Sequence, residues 1–314
     1  MSVLESVVVG AGQAGLSAAH HLRRLGLVPG RTMLVLDDAP AAGGAWQYRW
    51  DALTMADTHA VHDLPGVALP AGDPAERANV AVPRYYAAYE REHDLRVERP
   101  VRVHAVSEDP EDPALLRVAA TTDGGERVWR TRTLVNATGT WTRPFWPRYP
   151  GAETFRGRQL HTHDFRAAED FAGQHVVVVG GGASATQLLL QVAPHASGTT
   201  WVTRREPVWV EEEFSPELGR AAVARVAERT AAGLPPGSVV SVTGLPLNPR
   251  YRAGIASGVL LDGTTAARDP RVQLVGYGPS ASTIGANRAG REAARGVRRV
   301  LDGDVAGPRR SVAA

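Results

Sequence analysis

The sequence predicts an α/β fold built on parallel sheets, and three observations carry that expectation. A short apolar strand runs through a glycine turn into a helix near residues 6–25. The same unit recurs near residues 175–192, and strands alternate with helices through much of the chain. Gly10 and Gly180 open the two turns 170 positions apart, so repetition of one supersecondary unit is the organising feature.

The elements follow in order. Residues 6–9 read as an apolar strand that stops at Gly10. Residues 16–25 place Leu16, Ala19, Leu22 and Leu25 on one helical stripe. Residues 33–36 form the next strand, ending at Asp37 and Asp38. Residues 40–82, rich in Gly, Pro, Trp and His, predict irregular chain, and residues 85–93 predict a helix. Residues 101–135 read as short strands with turns at 109–113 and 123–125. In the second unit residues 176–179 are uniformly apolar, as in a central parallel strand. A helix over 185–192, a strand over 199–203 and an amphipathic helix over 217–231 come next. Residues 233–269 predict loops, 272–275 a last strand, and 284–301 a last helix.

The first turn, Gly10-Ala11-Gly12-Gln13-Ala14-Gly15, has the spacing of a dinucleotide fingerprint in the right context. Gly10 permits the tight turn, Gly12 lets backbone approach a pyrophosphate, and Gly15 lets the helix pack on the sheet. The helix N-terminus then offers free N–H groups and partial positive charge to phosphate. Asp37 ends the second strand, where a carboxylate binds ribose hydroxyls, and Asp38 is the alternative. The second turn, Gly180-Gly181-Gly182-Ala183-Ser184-Ala185, repeats the pattern with Ala185 in third place, a substitution frequent in NADP sites. Arg204 and Arg205 stand where an NAD site would place an acid. Guanidinium groups suit a 2′-phosphate, so the second unit points to NADPH. Two dinucleotide sites in one chain imply electron relay from a nicotinamide to a flavin, hence FAD in the first site.

Composition removes several classes. The chain has no cysteine, so dithiol redox chemistry and thiolate metal sites within it are excluded. All 35 basic residues are arginine, yet the net charge is only +2 and they form no block, which argues against nucleic acid. No apolar run approaches the ~20 residues of a membrane helix. The chain enters a strand at once, so no signal peptide is expected and the expected location is the cytoplasm. His59, His62, His161 and His163 lack the spacing and companion carboxylates of a metal site, and no metal is expected.

Four further stretches give the chain a likeness to a family. Gly43-Gly44-Ala45-Trp46 resembles a GGxW segment near a flavin ring. Asn136-Ala137-Thr138-Gly139 resembles the ATG hinge where the chain leaves the flavin domain. Residues 155–165, Phe-Arg-Gly-Arg-Gln-Leu-His-Thr-His-Asp-Phe, resemble the signature FxGxxxHxxx(Y/W). Gly276-Tyr277-Gly278, with Ser282 and Thr283 heading the last helix, resembles the final flavin-contacting segment. Together they resemble the flavin-containing and Baeyer–Villiger monooxygenase superfamily over residues 1–205 and 270–301.

The resemblance implies two Rossmann-like domains. The FAD domain would be discontinuous (1–165 and 269–314), with a shortened NADPH domain inserted at 166–268. It implies FAD held by Gly10, Gly12, Gln13, Ala14, Gly15, Asp37 or Asp38, Gly44, Trp46, Thr138, Gly139, Gly276, Ser282 and Thr283. NADPH would be held by Gly180, Gly182, Ser184, Ala185, Arg204 and Arg205. The activity it implies is transfer of one oxygen atom from O2 to a small organic substrate through a flavin peroxide. The alternatives are an NADPH-dependent flavoprotein reductase and a non-catalytic flavin-binding protein. Trp46 and Trp50 would wall the ring, with ordinary packing an equal reading for Trp50. His161 would support the nucleotide or the hinge, and Asp57 and His59 are loop residues that could approach the ring. Phe165 departs from the family's Tyr or Trp, and no second ATG-like strand is visible between 240 and 269. Oligomeric state stays open, a homodimer included.

Overall fold

The computed structural model describes residues 3–58, 61–147, 149–203, 207–211, 215–234, 243–260, 265–266 and 269–273. The chain divides into two compact units, Met1–Ala167 and Ala168–Ala314.

The first unit is built on one five-stranded sheet of order β2-β1-β5-β4-β3. Its strands are β1 (Leu4–Val9), β2 (Met33–Leu36), β3 (Val101–Glu108), β4 (Leu116–Thr122) and β5 (Gly125–Asn136). β1 runs parallel to β2 and β5, while β3, β4 and β5 form an antiparallel meander. The expected parallel sheet is therefore mixed. The long β5 joins its two halves, because Thr131 pairs with both Leu4 of β1 and Leu116 of β4.

Alternation over Val7, Val8 and Val9 of β1 feeds two cores. Val8 packs with Leu16 and Ala19 of helix α1 (Gln13–Arg24) and with Val82, Tyr85, Tyr86 and Tyr89 of helix α2 (Ala78–Glu92). Leu4, Val7 and Val9 pack instead with Val101, Val118, Ala120 and Trp129 of the meander. Leu16 is fully buried, and its truncation to Ala would cost about 2–5 kcal/mol.

The two helices differ from the sequence expectation at their ends. α1 starts at Gln13, directly behind the glycine turn, and stops at Arg24; Leu25 is exposed rather than on the buried stripe. α2 starts at Ala78, well before residue 85, and carries Pro83 in its interior. The proline obscured the start, since it removes one backbone donor and normally breaks a helix.

The second unit contains β6 (His175–Val179), α3 (Ala183–Val192) and β7 (Gly198–Val202), with β6 and β7 parallel. Further along lie β8 (Trp209–Val210), α4 (Pro216–Ala231), β9 (Leu245–Pro246), α5 (Pro249–Ala256), β10 (Thr265–Ala266) and β11 (Asp269–Gln273). Leu189, Trp201, Trp209, Leu245, Tyr251 and Leu260 form its core. Two expectations change. β6 pairs only with β7 among the described residues, and Val177 and Val179 are half exposed, so the expected central position is not seen among those residues. α5 lies in the stretch read as loop: Asn248 accepts the Tyr251 N–H at 2.8 Å, and Pro249 takes the first helical position. The expected last helix lies outside the described residues, as does the end of the last strand.

Candidate functional site

Three segments singled out in the sequence meet at the first glycine turn. Gly10 has φ +100°, and a side chain there would run into the Ala137 carbonyl. At Gly15 a side chain would collide with the Gly10 carbonyl, so the helix can lie this close to the turn only as glycine. The Ala137 N–H donates to the Val9 carbonyl at 2.8 Å, which ties the 136–139 hinge beside the turn. Within the hinge, the Thr138 hydroxyl and N–H both donate to Asn136 Oδ1, at 2.8 and 3.3 Å, and Gly139 (φ +64°) has nothing within 4 Å of its missing side chain.

The Gly43-Gly44 pair is clamped from both sides. A Cβ on Gly43 would lie 2.8 Å from the Pro83 ring, and one on Gly44 would lie 2.8 Å from the Gly12 Cα. Both glycines also take positive φ, +129° and +52°. The Pro83 that hides the start of α2 therefore supplies one jaw of this clamp. Trp46, on the one-turn 3₁₀ helix Gly44–Tyr48, packs against the core that holds Tyr86. Burial pushes the Tyr86 hydroxyl up to about 12, with the neighbouring Trp46 indole acting the other way.

The two acids after β2 separate cleanly. Asp37 is buried; its Oδ1 accepts the Ala11 N–H of the glycine turn at 3.3 Å, and its Oδ2 accepts Arg99 Nε at 2.8 Å. Arg99 in turn holds both oxygens of Glu90 on α2, at 2.8 and 2.6 Å. Burial alone would lower the Arg99 guanidinium, but Glu90 and then Asp37 outweigh it and hold it above its ordinary range. Asp38 is exposed and pairs with Arg102 at 3.2 Å. Asp37, not Asp38, therefore stands against the turn. Beside this network lies a cleft of about 350 Å³ lined by Glu90, Arg91, Arg96, Arg99 and their neighbours.

The 155–165 signature folds into local structure. The Phe155 ring covers Gly157, where a Cβ would come within 2.5 Å of it. His161 caps a short 3₁₀ turn: its Nδ1 accepts the His163 N–H at 3.2 Å, and its own N–H donates to Asp164 at 3.0 Å. That N–H, and then His163, hold the Asp164 carboxyl below its usual range. Phe165 is buried edge-on against Trp50, ring centroids 5.5 Å apart. Trp50 is thus a packed core residue, 3% exposed.

The residues present fit a flavin dinucleotide at the first turn. Gly12 heads α1 with no side-chain cap, and the first turn of the helix holds no acid, which leaves its N–H groups for an anion. A Cβ on Gly12 would meet only the Gly44 Cα, at 4.0 Å, so the backbone can be approached closely there. The second unit repeats these features. Gly180 has φ +140°, Gly182 heads α3 uncapped with open space at its Cα, Ala185 is buried, and Ser184 is exposed. Trp201 Nε1 donates to the Gly180 carbonyl at 2.6 Å and fixes the turn to β7. By contrast, α4 and α5 are capped by Ser215 and Asn248. His59, Arg204, Arg205, Gly276, Ser282 and Thr283 lie outside the described residues.

Sequence reasoning missed Arg99, Glu90, Arg49 and Trp141. Arg99 meets Asp37 across 62 positions, and no local pattern announces such a pair. Arg49 had a readable sign, a cation inside the aromatic run Trp46-Gln47-Tyr48-Arg49-Trp50.

Comparison with known proteins gives a consistent picture. The family model described as pyridine nucleotide-disulphide oxidoreductase matches residues 7–235. A flavin-containing monooxygenase from Stenotrophomonas maltophilia is similar at 31% identity and TM-score 0.60, over 96% of this chain and 100% of that one. A double mutant of the flavin monooxygenase from the same organism is similar at 30% identity and TM-score 0.66, with the same coverage. Indole-3-pyruvate monooxygenase YUCCA1 of Oryza sativa subsp. japonica is 32% identical over 200 residues, 63% of this chain and 47% of the rice protein. The chain spans about half the length of the curated plant relatives it matches.

Proposed function

The chain belongs to the pyridine nucleotide-disulphide oxidoreductase family and to the flavin monooxygenase superfamily, and from that premise we propose that it is an FAD-dependent, NADPH-using oxygenase of small organic molecules. The disulphide half of the family description has no counterpart here, because the chain has no cysteine. The observation that carries the reading is the meeting of residues 10–15, 43–46 and 136–139 around one uncapped helix N-terminus.

In this reading the N–H groups of Gly12, Gln13 and Ala14 hold the FAD pyrophosphate, and Asp37 accepts from its ribose hydroxyls. Gly44, Trp46, Thr138 and Gly139 border the remainder. Gly180, Gly182, Ser184 and Ala185 receive the NADPH pyrophosphate, with Arg204 and Arg205 on its 2′-phosphate. Bound FAD supplies two-electron exchange with nicotinamide and reaction with O2. Overall, NADPH provides the electrons, one oxygen atom enters the substrate, and the other leaves as water. In this reading Trp46 walls the ring and limits access of bulk water, which limits loss of the oxidising equivalents.

The test is anaerobic addition of NADPH to the flavin-loaded protein, followed by oxygen. Bleaching of the visible flavin band is expected, and then NADPH consumption in excess of hydrogen peroxide release once a substrate is supplied. A yellow protein that NADPH does not bleach would refute NADPH as the donor. Equal NADPH consumption and peroxide release with every substrate tried would refute oxygen transfer.

A further inference from the structure

Among the described residues, Arg49 is a cation without an anion. Its guanidinium carbon lies 4.3 Å from the Trp141 ring centroid and 5.7 Å from that of Trp46. Its Nε is buried and has no acceptor, and the side chain makes no hydrogen bond or ion pair among the described residues. The indole N–H of Trp141 is likewise buried and without an acceptor. Both groups can only donate, and they are in contact.

Acids close to Arg49 in sequence, and Asp164 beside the Trp141 neighbour His163, are already engaged. Asp51 accepts Arg77 at 2.9 Å and Asn79 at 2.8 Å; Asp57 accepts Thr54 at 3.0 Å; Asp164 accepts His161 and His163. Burial draws the Arg49 guanidinium below its ordinary range, which marks a desolvated charge rather than a solvated one. Desolvated charges in proteins are paired or they are costly, and two indole faces recover only part of that cost.

Arg49 sits just past the Gly43-Gly44 clamp, and Trp141 just past the Thr138-Gly139 hinge, so the pair borders the proposed flavin site. The oxidised flavin ring is neutral, and its phosphates belong at the helix N-terminus. The reduced ring could offer Arg49 a negative charge, but the oxidised ring offers none, and a second, anionic molecule would pair the cation in that state. We propose that Arg49 and Trp141 form a substrate subsite for a carboxylate, with Trp46 and Trp141 flanking the flat apolar body that carries it. The oxygenase then acts on small planar carboxylic acids. This deepens the proposed function and rests on it for the identity of the reaction, though not for the binding.

The test titrates benzoate, with the uncharged isostere benzamide as control, into the flavin-loaded protein near neutral pH. Tryptophan fluorescence and the flavin difference spectrum are the readouts. Saturable binding of benzoate is expected, with benzamide at least about tenfold weaker. R49Q should weaken benzoate by about tenfold or more and leave benzamide unchanged, and R49K should recover part of the loss. Circular dichroism confirms that each variant is folded. Absence of benzoate binding, equal binding of the two probes, or unchanged benzoate affinity in R49Q overturns the proposal. So does loss of flavin from folded R49Q and R49K alike, since the guanidinium would then serve the cofactor. A wild-type protein that refuses FAD but still binds benzoate through Arg49 would fail the flavin reading and keep the subsite.

Discussion

Replacing Arg99 by Met removes the one cation that two buried carboxylates share. Asp37, Glu90 and Arg99 have side chains only 10–13% exposed, and Arg99 bonds to both acids at 2.6–2.8 Å. Its loss leaves two like charges buried near each other without the hydrogen-bonded cation they share among the described residues. Breaking a buried ion pair in this way typically costs 3–5 kcal/mol, whereas replacing all of its charges at once is often close to neutral. For a unit of this size, about 1 kcal/mol moves the midpoint by roughly 2–4 °C, so R99M should melt roughly 6–20 °C below wild type. The companion variant carrying R99M, D37N and E90Q should recover most of that drop. Thermal unfolding followed by far-ultraviolet circular dichroism, without added flavin, is the assay. An R99M midpoint within about 2 °C of wild type, or a triple variant as unstable as the single one, would refute the shared-cation argument.

Other outcomes follow from the same geometry. G44A places a Cβ 2.8 Å from the Gly12 Cα at φ +52°, so it should cost about 1–3 kcal/mol and lower the flavin-to-protein ratio after purification; full flavin content would count against the clamp. His20 is buried against Tyr89 of α2 and against His93, which ends that helix, and is flanked by His21, Arg23 and Arg24 on its own helix; burial, then His93, lower its pKa below 6.5. The unfolded chain therefore takes up a proton at His20 more readily than the folded one. Stability should fall as pH drops below about 6.5, and H20F should flatten that fall in melting curves measured across the range.

The sequence was most readable where backbone geometry leaves little choice. The glycine turns at 10–15 and 180–185, the strand over 33–36 and the meander turns were all legible, because φ sign and strand periodicity are local properties. Side-chain networks were not. Asp37 was visible as a strand-ending acid, but its partner Arg99 lies 62 residues on and is brought in by the first strand of the meander. The start of α2 was hidden by Pro83, whose ring is needed against Gly43 more than its missing N–H is missed. α5 was legible and overlooked: Asn248-Pro249 is a cap followed by a helix-starting proline.

The double role of β5 sets an order on assembly. Until residues 131–136 have been made, β1 has only the four-residue β2 paired beside it, and its other edge is open. The Gly10 turn also lacks its wall until Ala137 arrives. On the ribosome the proposed nucleotide pocket is thus completed by the last strand of the sheet rather than by the glycine motif. A nascent chain should take up flavin only after its first hundred and thirty or so residues have emerged, and any truncation short of the hinge should stay colourless.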